Sequence, residues 1–174
     1  MQVIKGETCL YADLHGDGES MVLLLHGLGG SRLSWRGIAE ELALTHRVMA
    51  MDLRGCGLSG RGPELYSLEL LAGDAVALLD ATGVSNCHLV GHSLGGVVAQ
   101  EILTRYNSRV SSAVLVATSS KVSDKASRNW LRLADRVEAS GIQDSEAGRR
   151  RPFSPSFAES HPEVVNYHAQ LVAE

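Results

Sequence analysis

A chain of 174 residues, 44% hydrophobic and 21% charged, carries enough apolar material for one core and is too short for two ordinary domains. Its formal net charge of −4 gives no electrostatic reason to expect nucleic acid or a membrane as partner. Three scattered cysteines, Cys9, Cys56 and Cys87, fit neither a disulfide framework nor a zinc site. No metal and no cofactor is expected. The single basic cluster, Arg149 to Arg151, runs straight into Pro152 and reads as a solvated loop. With no signal-like leader and no apolar run of membrane-spanning length, the cytoplasm is the expected location.

Met1 to Ala12 reads as a hairpin turning at Lys5-Gly6-Glu7, followed by a turn at His15 to Gly18. Met21 to Leu25 is a continuous apolar run of strand length, as expected of a parallel strand covered on both faces. It ends in His26-Gly27-Leu28-Gly29-Gly30, where glycines can expose backbone amides to an anion. A phosphate cradle would want Lys followed by Ser or Thr after the glycines, and none follows, so an oxyanion loop is preferred.

Ser31 to Leu44 has helical periodicity, with Trp35, Ile38, Ala39 and Leu42 on the packing face. Arg47 to Met51 is the next strand. Asp52 and Arg54, in the glycine-rich turn after it, have the chemistry for catalysis, but charged residues in such a turn usually pair, and they are read as loop-fixing charges. Ser67 caps a helix from Leu68 to about Thr82 that ends at Gly83.

A strand from Cys87 to Val90 then runs into Gly91-His92-Ser93-Leu94-Gly95-Gly96 and a helix over Val97 to Tyr106. A serine between glycines two positions to either side suits a sharp strand-to-helix turn in which side chains at those positions would collide, and it projects its hydroxyl beyond the sheet. The competing reading makes Ser93 an ordinary helix N-cap. Val110 to Ala117 is the last strand. Alternating strands and helices give an α/β fold with a mostly parallel sheet, helices on both faces and the site at the carboxyl ends of the strands.

Beyond it, Thr118 to Ala126 is polar, Asn129 to Ala139 is helical and Gly141 to Pro155 is loop-like. Ser160-His161-Pro162-Glu163 has the spacing of a capping box opening a helix through Val172. Residues 1–118 therefore form the sheet domain, and residues 119–174 open a helical segment over it.

The three glycine-containing loops, in this order, resemble those of the α/β-hydrolase superfamily. Tyr66-Ser67-Leu68-Glu69 and the segment Phe153 to Pro162 are similar to the 3-oxoadipate enol-lactonase group within it. The resemblance implies Ser93 as nucleophile on an ester or lactone carbonyl, an acyl-enzyme, and an oxyanion hole from the amides of Leu28 and Leu94. His26, Gly27, Gly91 and Gly95 would support these loops. It implies Trp130 and Arg132 as contacts for an anionic substrate, although core packing and a solvated face explain them as well.

In that family the triad acid and histidine follow the cap, beyond Glu174. His26 fits a structural role, His92 diverges from the hydroxyl, and His15, His46 and His88 fall at a turn or strand starts. His161 and His168 have no strand end to hold them as base, and Asp124, near the end of the last strand, is the one acid placed where a displaced triad carboxylate would sit. No complete triad is read in the chain. Two readings follow: the amino-terminal part of a serine hydrolase, or a non-catalytic binding protein retaining the fold remnant.

Overall fold

The computed structural model describes residues 1–140 and 153–173. They fall into two compact units, Met1–Ser120 and Lys121–Glu174. The expected basic cluster at Arg149 to Arg151 and most of the loop before Pro155 lie outside the described residues.

In the first unit, β1 (Gln2–Lys5) and β2 (Thr8–His15) make the hairpin. β2 continues past Ala12 to pair antiparallel with β4 (Arg47–Met51). β3 (Met21–Leu25) lies between β4 and β5 (Cys87–His92), and β6 (Val110–Val116) adds beyond β5, all four parallel. The order is β1-β2-β4-β3-β5-β6. From β3 the chain moves first to one side, into β4, and later to the other, into β5. Such a reversal leaves a crevice at the carboxyl ends of those two strands, where open α/β sheets bind ligands.

All five residues of β3 are buried, because alternate side chains meet helices on opposite faces. Leu23, Leu25, Met49, Met51 and Leu89 pack with Ala72 and Leu79 of α2 (Leu68–Ala81) and with Val98 and Ile102 of α3 (Leu94–Arg105). On the other face Val22, Leu24, Val48 and Ala50 pack with Trp35 and with Ala39 of α1 (Arg36–Leu42).

Ile38, expected on the packing face, is 52% exposed. The segment begins as a 3₁₀ turn, Arg32–Trp35, capped by Ser31, so a single 3.6-residue period does not run through it. Trp35 and Ala39, four residues apart, keep the inward face and Ile38 turns out. α2 matches its expected span: Ser67 Oγ accepts from the Leu70 N–H at 3.1 Å, and Gly83 follows at φ 68°.

The second unit contains α4 (Asp124–Ser140), α5 (Pro155–Ser160) and α6 (Pro162–Ala173). α4 begins five residues before the expected helix, inside the stretch read only as polar. α5 was not expected; Ser154 caps it through the Phe157 N–H, with Pro155 in its first turn. The capping box at Ser160 does not form, because that hydroxyl donates back to Ser156 O at 2.9 Å and so closes α5. Among the described residues no helix is long and apolar enough to cross a membrane.

Candidate active site

β5 hands the chain to α3 through one residue, Ser93, with φ 51° and ψ −113°. A positive φ is strained for any residue with a Cβ, and here the surrounding packing enforces it. A Cβ on Gly91 would lie 2.7 Å from Gly96 Cα, and one on Gly95 would lie 2.6 Å from His26 O. The two glycines therefore let β5, α3 and the end of β3 close together around the turn. Ser93 occupies the N-cap position of α3, but its side chain makes no capping bond to that helix and its backbone lacks the extended conformation of an ordinary cap. The Leu94 amide is the first of α3 and belongs to the set of helix donors without an intrahelical acceptor. Its side chain packs against the core.

The loop after β3 abuts this turn. A Cβ on Gly27 would lie 3.3 Å from Ser93 Cβ and 2.9 Å from His92 Nδ1. The Gly30 N–H donates to Gly27 O at 3.1 Å, and Gly29, with φ 72°, takes the positive-φ position of the turn. His26 fixes the same carbonyl. Its Nε2 accepts from the Leu53 N–H at 2.9 Å, so the proton resides on Nδ1, which donates to Gly27 O at 2.8 Å. Because the peptide is trans, holding the Gly27 carbonyl in one direction holds the Leu28 N–H in the opposite one. The Leu28 side chain is 61% exposed.

The third loop is tied down by its charges. Buried Asp52 accepts from the Arg32 N–H at 2.7 Å, the Arg32 guanidinium at 2.9 Å and the Leu58 N–H at 2.9 Å. Arg54, also buried, is held by Asp74 through Nε at 2.8 Å and Nη2 at 2.9 Å, and by Thr8 and Glu64 through Nη1. Both charges are spent on the scaffold.

The histidines separate accordingly. His26 is 1% exposed with both ring nitrogens engaged, and burial pushes its pKa below the ordinary value. His92 is exposed and beside Gly27. His46 and His88, with rings 6.1 Å apart, flank the amino ends of β4 and β5, and His15 ends antiparallel β2 near them, away from the Ser93 end of the sheet. In the second unit Asp124 stands in the first turn of α4, His161 stacks on Phe157 at 4.4 Å, and His168 lies on α6. Trp130 and Arg132 are exposed residues of α4. Thr118, which no local sequence pattern marks, donates its hydroxyl to the Ser93 carbonyl at 2.9 Å, a contact between residues 25 apart.

Sheet order, helix placement and the strained serine turn define an α/β-hydrolase architecture. The chain belongs to the alpha/beta hydrolase fold family, whose model matches residues 21–169. It is 42% identical over 123 residues to a Variovorax paradoxus protein provisionally named carbamate hydrolase RutD, a match over 68% of this chain and 46% of that one. It is 41% identical over 105 residues to the pimeloyl-[acyl-carrier protein] methyl ester esterase of Aeromonas hydrophila, over 60% of this chain and 39% of that one. The chain thus spans less than half the length of either curated relative. The crystal structure of the enol-lactonase from Burkholderia xenovorans LB400 shares its fold, with a TM-score of 0.92 over 99% of this chain and 67% of that one, at 23% identity.

Proposed function

We propose that this chain forms part of a serine-dependent hydrolase that acts on an ester or lactone carbonyl. Ser93 Oγ attacks that carbonyl, the leaving alkoxide departs with a proton, and water releases the acyl group from the serine. The amides of Leu28 and Leu94 receive the negative charge that develops on the carbonyl oxygen. The observation that carries this reading is the positive φ of Ser93 at the switch point of the sheet, with Gly27 against it. A strained serine whose hydroxyl does not cap its helix fits a nucleophile better than a structural turn. The methyl ester esterase among the relatives supports an ester, and the carbamate hydrolase name keeps other acyl substrates within the same chemistry.

A serine needs a base. The commitment of both His26 nitrogens to backbone favours a second reading, a binding protein that retains the hydrolase turn, if no other base reaches Ser93. One experiment separates them. The whole protein and its Ser93→Ala variant are compared for p-nitrophenyl ester turnover and for covalent labelling by a fluorophosphonate. Catalysis by Ser93 predicts loss of turnover on the order of a thousandfold or more and loss of the label in the variant. Equal rates and equal labelling remove the nucleophile assignment; no turnover by either protein supports the binding reading.

A further inference from the structure

The backbone of Ser93 is fixed from outside its own strand and helix. Its N–H donates to Val116 O at 2.9 Å, the last residue of β6. Its carbonyl accepts from the Val97 N–H at 3.1 Å, as the first helical bond of α3, and also from the Thr118 hydroxyl at 2.9 Å. Between those two tethers Ala117 takes φ 47°; it and Ser93 are the two non-glycine residues of positive φ among those described. The kink at Ala117 turns the chain so that the Val116 carbonyl meets one side of the Ser93 Cα and the Thr118 side chain the other.

Rotation about the two backbone bonds of Ser93 is what aims its Cα–Cβ bond. A tether on the peptide before Cα and another on the peptide after it restrain both rotations. Gly96 is matched to this arrangement: a Cβ there would lie 2.6 Å from Thr118 Cβ and would push the threonine off the carbonyl.

We propose that Thr118 is a positioning residue: its hydroxyl, held on the Ser93 carbonyl by the kink at Ala117, sets the direction of the Ser93 side chain. This rests on the reading of Ser93 as nucleophile. Thr118 does not touch the reacting atoms. Removing its hydroxyl leaves the Ser93 carbonyl still bonded to Val97, so the effect falls on aim rather than on a buried group left unpaired.

The test uses the whole protein with Thr118→Val, which keeps the shape and loses the hydroxyl, Thr118→Ser, which keeps the hydroxyl, and Ser93→Ala. Readouts are kcat and KM on p-nitrophenyl acetate, the fluorophosphonate labelling rate and the melting temperature. Thr118→Val should lower kcat and the labelling rate about tenfold with KM within about twofold, and Thr118→Ser should recover both, since small misplacements of a reacting group lower rates steeply. Thr118→Val at wild-type kcat and labelling rate overturns the proposal, as does a Thr118→Ser loss equal to that of Thr118→Val. Should Thr118→Val not fold, Thr118→Ala, which removes atoms and adds none, gives the same two outcomes. An inactive Ser93→Ala beside an unaffected Thr118→Val defeats this inference alone; a fully active Ser93→Ala defeats the nucleophile reading on which it stands.

Discussion

His26 shows how much a single side chain decides. The Leu53 N–H requires a lone pair on Nε2, so a proton there would break the bond that joins two loops. Burial holds the folded-state pKa below the ordinary value of about 6.5. The unfolded chain therefore takes up a proton before the folded one does. The stability contributed by neutral His26 is fully present above about pH 6.5 and is lost as pH falls through the lower, folded value. Urea midpoints at pH 8 and pH 5.5 should differ more for the wild type than for His26→Gln; equal differences would show that this ring does not govern the acid limb. The Leu28 amide can be tested without disturbing its turn, because proline suits the second position of such a turn and only removes the N–H. Leu28→Pro should reduce kcat about a hundredfold with the fold intact by circular dichroism, if that amide stabilises the oxyanion. An unchanged kcat would leave the amide without that role.

At the scale of elements, the loop after β4 is fastened to α2 by a buried ion pair, Arg54 to Asp74, joined from β1 by Lys5 at 2.9 Å. Removing one partner leaves a carboxylate at 0% exposure with a single partly exposed ammonium. Arg54→Met should therefore destabilise the first unit by about 3 kcal/mol or more, measured by denaturant unfolding. A loss below about 1 kcal/mol would place the fastening elsewhere. Asp52 and Arg54 were legible as loop-fixing charges because charged residues in a glycine-rich turn have few alternatives to pairing. Their partners were not, since Asp74 lies twenty residues on in the middle of a helix. Local patterns also misled where two elements competed for one residue. Ser160 has the spacing to open α6 but closes α5, its hydroxyl within reach of the Ser156 and Phe157 carbonyls at 2.9 and 3.3 Å.

Across the molecule the sheet is asymmetric. One margin is the β1–β2 hairpin; the other is β6, whose outer side no described strand pairs. Val114, Leu115 and Val116 of β6 are 54%, 43% and 41% exposed, on both faces of an uncharged strand. An edge of this kind recruits other chains, and a charge on it discourages them. The 174-residue chain should therefore associate with rising concentration, and Val114→Lys should weaken that association in light scattering. If the two proteins associate equally, the β6 edge is not the contact.

The order of strands and helices in the first unit, the continuous burial of β3 and the three loops that meet at the strand ends were determined by sequence alone. Hydrophobic period, glycine placement and capping act over a few residues, and that is the range a sequence exposes. Tertiary structure decided what depends on contacts between distant segments: the outward turn of Ile38, the commitment of both His26 nitrogens, the partners of Arg54, and the grip of Val116 and Thr118 on Ser93. Each is a hydrogen bond or close approach across more than one element, and nothing in the local spacing of side chains encodes it.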